Sequence, residues 1–233
     1  MSSANVTSDD AAPRFYDSIS DRYDKYFSQD QGLLAFIDQS LELLPPNASV
    51  LDIGSGTGIP IFLAVVNSGR KLHGIDIAPS MIQLSRKNVP GGTFEQVSML
   101  DYTPKDGQKF DGAFVVLSMF HMKRDEMIKA IGKWEDWLKG NGEGYLFICT
   151  YVAEDAAGIK EEMFSKDGLF ADNVPSTFMG EYHENFLYTQ LGWEDVLAEH
   201  GFKIEREGKV AFEPAEEAKC DNEIHFYITA RKM

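Results

Sequence analysis

The run Val50-Leu51-Asp52-Ile53-Gly54-Ser55-Gly56-Thr57-Gly58-Ile59-Pro60 constrains this chain more than any other stretch. Val50, Leu51 and Ile53 suit a buried strand. Three glycines then fall at alternate positions, and Ile61, Phe62, Ala64 and Val65 follow at helical spacing. The pattern predicts strand, tight turn, helix. Glycine tolerates φ > 0 and lets the backbone come close to a ligand. The start of the helix points unpaired N–H groups at that ligand. Asp52 precedes the first glycine by two positions, and a second strand-like run, Lys71–Asp76, also ends in an acid. Asp76 lies roughly 20 residues on, where nucleotide-type αβ units hold a ribose. An ordinary βα turn would need the glycines but not the two acids.

Together these residues resemble the first motifs of the class I S-adenosylmethionine (SAM)-dependent methyltransferases. The glycines read Gly54-x-Gly56-x-Gly58, not the G-x-G-x-x-G of the NAD-type turn. The resemblance implies an α/β, Rossmann-like fold: a seven-stranded sheet in the order 3-2-1-4-5-7-6, the last strand antiparallel, with helices on both faces and a cap. It implies SAM as cofactor. Asp76 would accept from both ribose hydroxyls, and Gly54 and Leu117 would offer carbonyls to the amino group. Asp52 would support that end electrostatically, and Ser55 and Gly56 would line the turn. Ile77-Ala78-Pro79-Ser80-Met81 resembles the family's continuation, with Ile77 on the adenine face and Met81 along its edge. Both also fit an ordinary core. Ser98-Met99 departs from the family, where many members place an aspartate to receive the adenine amino group. A serine hydroxyl is also an acceptor.

Composition narrows the partners. The chain has 233 residues, and 22 basic against 37 acidic residues give a net charge of -15. With no basic block, there is no electrostatic footprint for nucleic acid or an anionic membrane. Two cysteines, Cys149 and Cys220, make neither a disulfide framework nor a zinc cluster, and no metal-ligand cluster is evident. The N-terminus from Met1 to Pro13 has no apolar signal core, and no apolar run reaches the ~20 residues of a membrane helix. The simplest expectation is a cytoplasmic protein, monomer or homodimer. Asn5-Val6-Thr7 then reads as a chance sequon.

Residues 1–45 predict N-terminal helices over the cofactor site, 46–150 the SAM-binding core, 151–190 a cap insertion, and 191–233 a last helix and antiparallel strands of the same domain. Phe15, Ile19, Tyr23 and Phe27 recur every four residues from a helix beginning near Ser8. Phe15-Tyr16-Asp17 and Arg22-Tyr23-Asp24 resemble the opening of small-molecule methyltransferases of the quinone-biosynthesis type. That resemblance places Tyr16 and Tyr23 at the cofactor; simple helix packing is the other reading. Strands and helices alternate up to Thr150, which predicts a parallel sheet. A short helix is expected over 157–164. Residues 168–188 are rich in aromatics and suit a substrate cap or a subunit interface.

The expected reaction is methyl transfer to an O, N, S or C nucleophile of a small molecule, in secondary metabolism. Such a displacement needs the nucleophile held near the methyl and water excluded. A base is needed only where a proton must leave. His121 and His183 are the candidates, and Tyr151, Phe178 and Tyr182 are candidate substrate contacts. His121 follows the fourth strand, at the sheet end where such folds bind ligands; a packing role fits it equally. Two rivals remain: a member of the fold that uses SAM structurally or for a rearrangement, and a dinucleotide-dependent oxidoreductase. The glycine spacing disfavours the second, and no tyrosine–lysine pair supports it.

Overall fold

The structure, a computed structural model, describes residues 8–233. The sequon and residues 1–7 lie outside them. Helix α1 (Ser8–Phe27) comes first. Its four-residue repeat buries Phe15, Ile19 and Phe27 against Met179 and Ala218. Asp30 starts α2 (Gln31–Leu43) as its N-cap, accepting from the backbone N–H groups of Gly32 and Leu33. Pro45 follows, and the Arg70 guanidinium donates to the carbonyls of Leu41 and Leu44 at 2.7 and 2.6 Å. That cation satisfies acceptors that the helix end leaves open.

The main unit then alternates strand and helix: β1 (Ser49–Ile53), α3 (Ile61–Asn67), β2 (Lys71–Asp76), α4 (Pro79–Asn88), β3 (Thr93–Gln96), β4 (Gly112–Val116), α5 (Arg124–Trp137) and β5 (Tyr145–Thr150). A two-stranded insertion follows, β6 (Phe170–Phe178) and β7 (Glu181–Tyr188). Then come α6 (Gln190–Glu199), β8 (Phe202–Phe212) and β9 (Glu223–Lys232). The large sheet has the order β3-β2-β1-β4-β5-β9-β8. Strands β1 to β5 are parallel, and β9 runs antiparallel between β5 and β8. Counting only the strands of this sheet, that is the order 3-2-1-4-5-7-6 expected from the resemblance.

Side-chain alternation divides the core in two. Leu51, Ile53, Ala113, Val115, Leu146, Ile148, Phe226 and Ile228 face one way and pack with Trp134 of α5. Val50, Phe114, Phe147, Cys149 and Tyr227 face the other way and pack with Phe36 and Phe62 of α2 and α3. A strand reverses its side chains at each residue, so a sheet covered on both faces needs continuous apolar runs.

The insertion corrects one expectation. No α-helix covers 157–164; the stretch holds only the 3-10 turn Glu161–Met163. Gly158 lies so close to Pro175 that a Cβ there would sit 2.5 Å from the ring, and Phe164 bridges to Ala171 of β6. Contact with the hairpin overrides the local helical preference. The hairpin turns at Met179-Gly180, with φ of +53° and +87°. Its tip is tied to the β8–β9 loop: Thr177 N–H donates to Asp221 Oδ2 at 2.7 Å, and Gly180 N–H donates to the Lys219 carbonyl at 2.9 Å.

Candidate active site

Two adjacent regions share the C-terminal end of the sheet. The first is the glycine turn. Gly54 has φ +76°, and a Cβ there would fall 2.4 Å from the Cβ of Ser118, so conformation and space both require glycine. Gly56 has φ +51°, and a Cβ would meet nothing within 4 Å: this side of the turn is open. Asp76 holds the turn in place. Its Oδ2 accepts from Gly56 N–H at 2.9 Å and its Oδ1 from Ala78 N–H at 2.8 Å. Each oxygen keeps a second lone pair for a ligand. Burial raises the Asp76 pKa, and these N–H groups oppose the rise.

Asp52 lies beneath the turn, 1% exposed, and neither carboxylate oxygen has a hydrogen-bond partner. Burial, with the Asp76 charge adding to it, pushes its pKa up to about 8. A buried acceptor pair with no donor is costly unless something supplies one. The Ser55 hydroxyl beside it is also buried and unpartnered. Leu117 ends β4 in the left-handed region at φ +48°, which a non-glycine residue adopts at a cost of about 1–2 kcal/mol. The next residue, Ser118, donates to the Ile53 carbonyl at 3.0 Å and joins the ends of β1 and β4.

The other expected cofactor residues divide. Ile77 is 41% exposed, an apolar side chain open at the strand end, whereas Met81 is 2% exposed and packed. Met99 packs against the α5-side core. The Ser98 hydroxyl already accepts from Leu100 N–H at 3.2 Å. Helix α1 lies across this region. Asp17 accepts from Ser80 N–H at 3.1 Å, at the start of α4. Asp24 accepts from the Thr57 hydroxyl in the glycine turn and from the Asn88 amide. Tyr23 stacks on Phe27, with ring centroids 5.2 Å apart. Tyr16 points instead to the second region.

That second region is a cavity of about 660 Å³, its mouth included, between the ends of β4 and β5, the hairpin and the start of β9. Tyr16, His121, His183, Tyr151 and Phe178 all line it. Tyr182 does not: it is 67% exposed on the outer face of the hairpin. Strand alternation turns His183, Asn185 and Leu187 inward and Tyr182 and Glu184 outward. The Tyr16 hydroxyl lies 3.0 Å from His121 Nε2. Burial, with His183 adding to it, pushes the His121 pKa down to about 4, so the ring is neutral near pH 7. Burial first, then Asp76 and Glu223, raises the Tyr16 pKa and keeps its proton on.

The sequence reading missed Asn185, Glu223 and His225. His225, 1% exposed, stands between Asp30 and Glu223, with Nδ1 2.9 Å from Asp30 Oδ2 and Nε2 2.9 Å from Glu223 Oε2. The alternation Glu223-x-His225-x-Tyr227 was the available signal, since it puts three polar-tipped side chains on one face of a strand.

The strand order, with a glycine turn after β1 and an acid ending β2, is that of the class I SAM-dependent methyltransferase fold. Residues 50–142 match the family model described as a methyltransferase domain. Phosphoethanolamine N-methyltransferase of Plasmodium falciparum is 28% identical over 121 residues, covering 51% of this chain and 45% of that protein. The match thus spans less than half of that relative. Among solved structures, magnesium protoporphyrin IX methyltransferase of Synechocystis PCC 6803, with bound SAM, superposes with a TM-score of 0.66. The identity is 14%, over 100% of both chains. The cyclase SpnF superposes with the same TM-score of 0.66 at 16% identity, over 97% of this chain and 96% of that one. Among the described residues, no helix is long and apolar enough to cross a membrane.

Proposed function

We propose that the chain transfers a methyl group from SAM to an O, N, S or C nucleophile of a small molecule. The observation that carries this reading is Asp52: a buried carboxylate without a donor, behind an open glycine turn. The amino end of SAM is a cation with N–H donors and fits that want. In this reading the Gly54 and Leu117 carbonyls take further amino protons and Ser55 faces the same end. Asp76 holds the ribose through its free lone pairs. Ile77 lies on the adenine, with Met81, Ser98 and Met99 forming the wall behind it, and Tyr23 closes the site from α1.

SAM supplies an activated methyl on a sulfonium; the residues of the chain bind, orient and exclude water. The acceptor lies in the cavity against Tyr151 and Phe178. With His121 neutral and its ring proton on Nε2, that N–H donates to the Tyr16 oxygen at 3.0 Å and leaves the Nδ1 lone pair free to take a proton. That bond fixes the imidazole at the acceptor. A weak base suffices there, because an attacking O–H or N–H becomes acidic as its new bond forms. His183 is the alternate base. Residues 151–190 serve as the cap, and the protein acts on its small molecule without nucleic acid or membrane.

Calorimetry should detect SAM and S-adenosylhomocysteine binding but no NAD binding, and labelled methyl should move from SAM to an acceptor. NAD binding without SAM binding would end the reading. A second reading, rearrangement without methyl loss, gains support from the fold shared with a cyclase. Substrate conversion without formation of S-adenosylhomocysteine would favour it.

A further inference from the structure

The cavity has an acidic, acceptor-rich end that methyl transfer itself does not explain. Glu223 lines it with a side chain 12% exposed, and His225 stands directly behind. Behind His225 is Asp30, whose other oxygen caps α2. Burial lowers the His225 pKa, but the bonds to Asp30 and Glu223 overcome it and raise the value. Two carboxylates flank one imidazole, so at least one negative charge is in excess even with the ring protonated. The other lining acids are engaged: Asp155 pairs with Lys209 at 2.7 Å, and Asp221 accepts from Thr177 N–H. Among the described residues, no lysine or arginine lines the cavity.

A second observation points the same way. Asn185, 5% exposed, donates through Nδ2 to the Ser176 hydroxyl at 2.8 Å, while its buried Oδ1 has no partner. An unpaired buried carbonyl oxygen calls for a donor. The walls around these groups are aromatic: Tyr16, Phe120, Tyr151 and Phe178. Aromatic faces favour a cation, and carboxylates favour it more strongly.

We propose that Glu223 anchors a basic nitrogen of the methyl acceptor, with Asn185 Oδ1 as the second acceptor and His225–Asp30 fixing the carboxylate. The substrate class is then a small amine with an aromatic or apolar body. The nitrogen is an anchor; His121, on a different wall, serves the atom that takes the methyl. This proposal rests on the reading of the site as a SAM-dependent methyltransferase.

The test uses the full chain saturated with S-adenosylhomocysteine. Three probes of similar shape are titrated by calorimetry: 2-phenylethylamine, 2-phenylethanol and 3-phenylpropionate. The amine should bind at least tenfold tighter than the alcohol, and the carboxylate weakest. Glu223→Gln should remove at least tenfold of the amine's advantage and leave S-adenosylhomocysteine affinity unchanged. An amine no tighter than the alcohol in the wild-type protein overturns the anchor without recourse to any variant. So does a Glu223→Gln protein that is folded by circular dichroism and keeps the preference. Failure of the wild type to bind S-adenosylhomocysteine would instead overturn the methyltransferase reading, and the amine-to-alcohol ratio without cofactor would still judge the anchor.

Discussion

The Tyr16 hydroxyl, on the first helix, lies 3.0 Å from Nε2 of His121, on the turn after β4, a pairing across 105 residues. It makes the first helix part of the cavity wall. His121→Ala should lower the rate by about 10²–10⁴-fold, the span of general base catalysis, with SAM affinity nearly unchanged. Tyr16→Phe should cost less, since it removes the orienting bond and keeps the ring. The acid limb of the rate profile should fall near pH 4, because protonation of His121 as pH drops through about 4 removes the base. A limb near pH 6.5, or a His121→Ala loss under about tenfold, would reduce His121 to packing.

Asp52 should link cofactor affinity to pH. Its pKa of about 8 in the free protein means that the carboxyl is largely protonated near neutrality. A cationic amino group binds the ionised form. Affinity for S-adenosylhomocysteine should therefore rise with pH up to about 8, with proton release on binding below that pH. Calorimetry in buffers of different ionisation enthalpy reads the proton. Asp52→Asn should bind more weakly and flatten the curve. The same raised pKa predicts that the ligand-free wild type loses stability as pH climbs toward 8, since the folded state binds the proton better than the unfolded one. Asp52→Asn should remove that share of the decline.

The hairpin and its attachments should behave as one mobile unit. Residues 151–190, α1 and the β8–β9 loop should exchange amide hydrogens faster without cofactor than with it, since lids come from the low-stability parts of a fold. The loop belongs with them because Thr177 and Gly180 bond to it. Equal protection in both states would favour a subunit interface.

His225 predicts a different pH dependence. Its pKa is raised in the fold, so its contribution to stability is complete below the unfolded histidine value of about 6.5 and fades as pH rises through the folded value. Urea unfolding of the Asp52→Asn protein between pH 6 and 9 should still show this decline, and adding His225→Gln should abolish it. A decline that persists in the variant would place the titration elsewhere.

The sheet and the glycine turn were legible because their signals are local. Asp52, Gly54 and Asp76 declare themselves by spacing within one αβ unit, and strand order follows once the unit is recognised. The acceptor cavity was only half legible. His121, Tyr151 and Phe178 line it as expected, but Tyr16, expected at the cofactor, lines it too, and Tyr182 stands outside. Had residues 181–188 been read as a strand, alternation from His183 would have selected Asn185 and excluded Tyr182. The Asp30–His225 pair spans 195 residues, and no local pattern announces such a contact. The expected helix over 157–164 failed for a similar reason, since the deciding contact is Gly158 against Pro175 of the hairpin.

Helix α1 is held at its middle by Ser80, Thr57 and Asn88, beside the glycine turn, and at Phe15, Tyr16 and Phe27 by His121, His183 and Phe178, beside the cavity. One rigid rod is thus the common wall of two compartments. Lifting it to exchange cofactor would also breach the acceptor chamber.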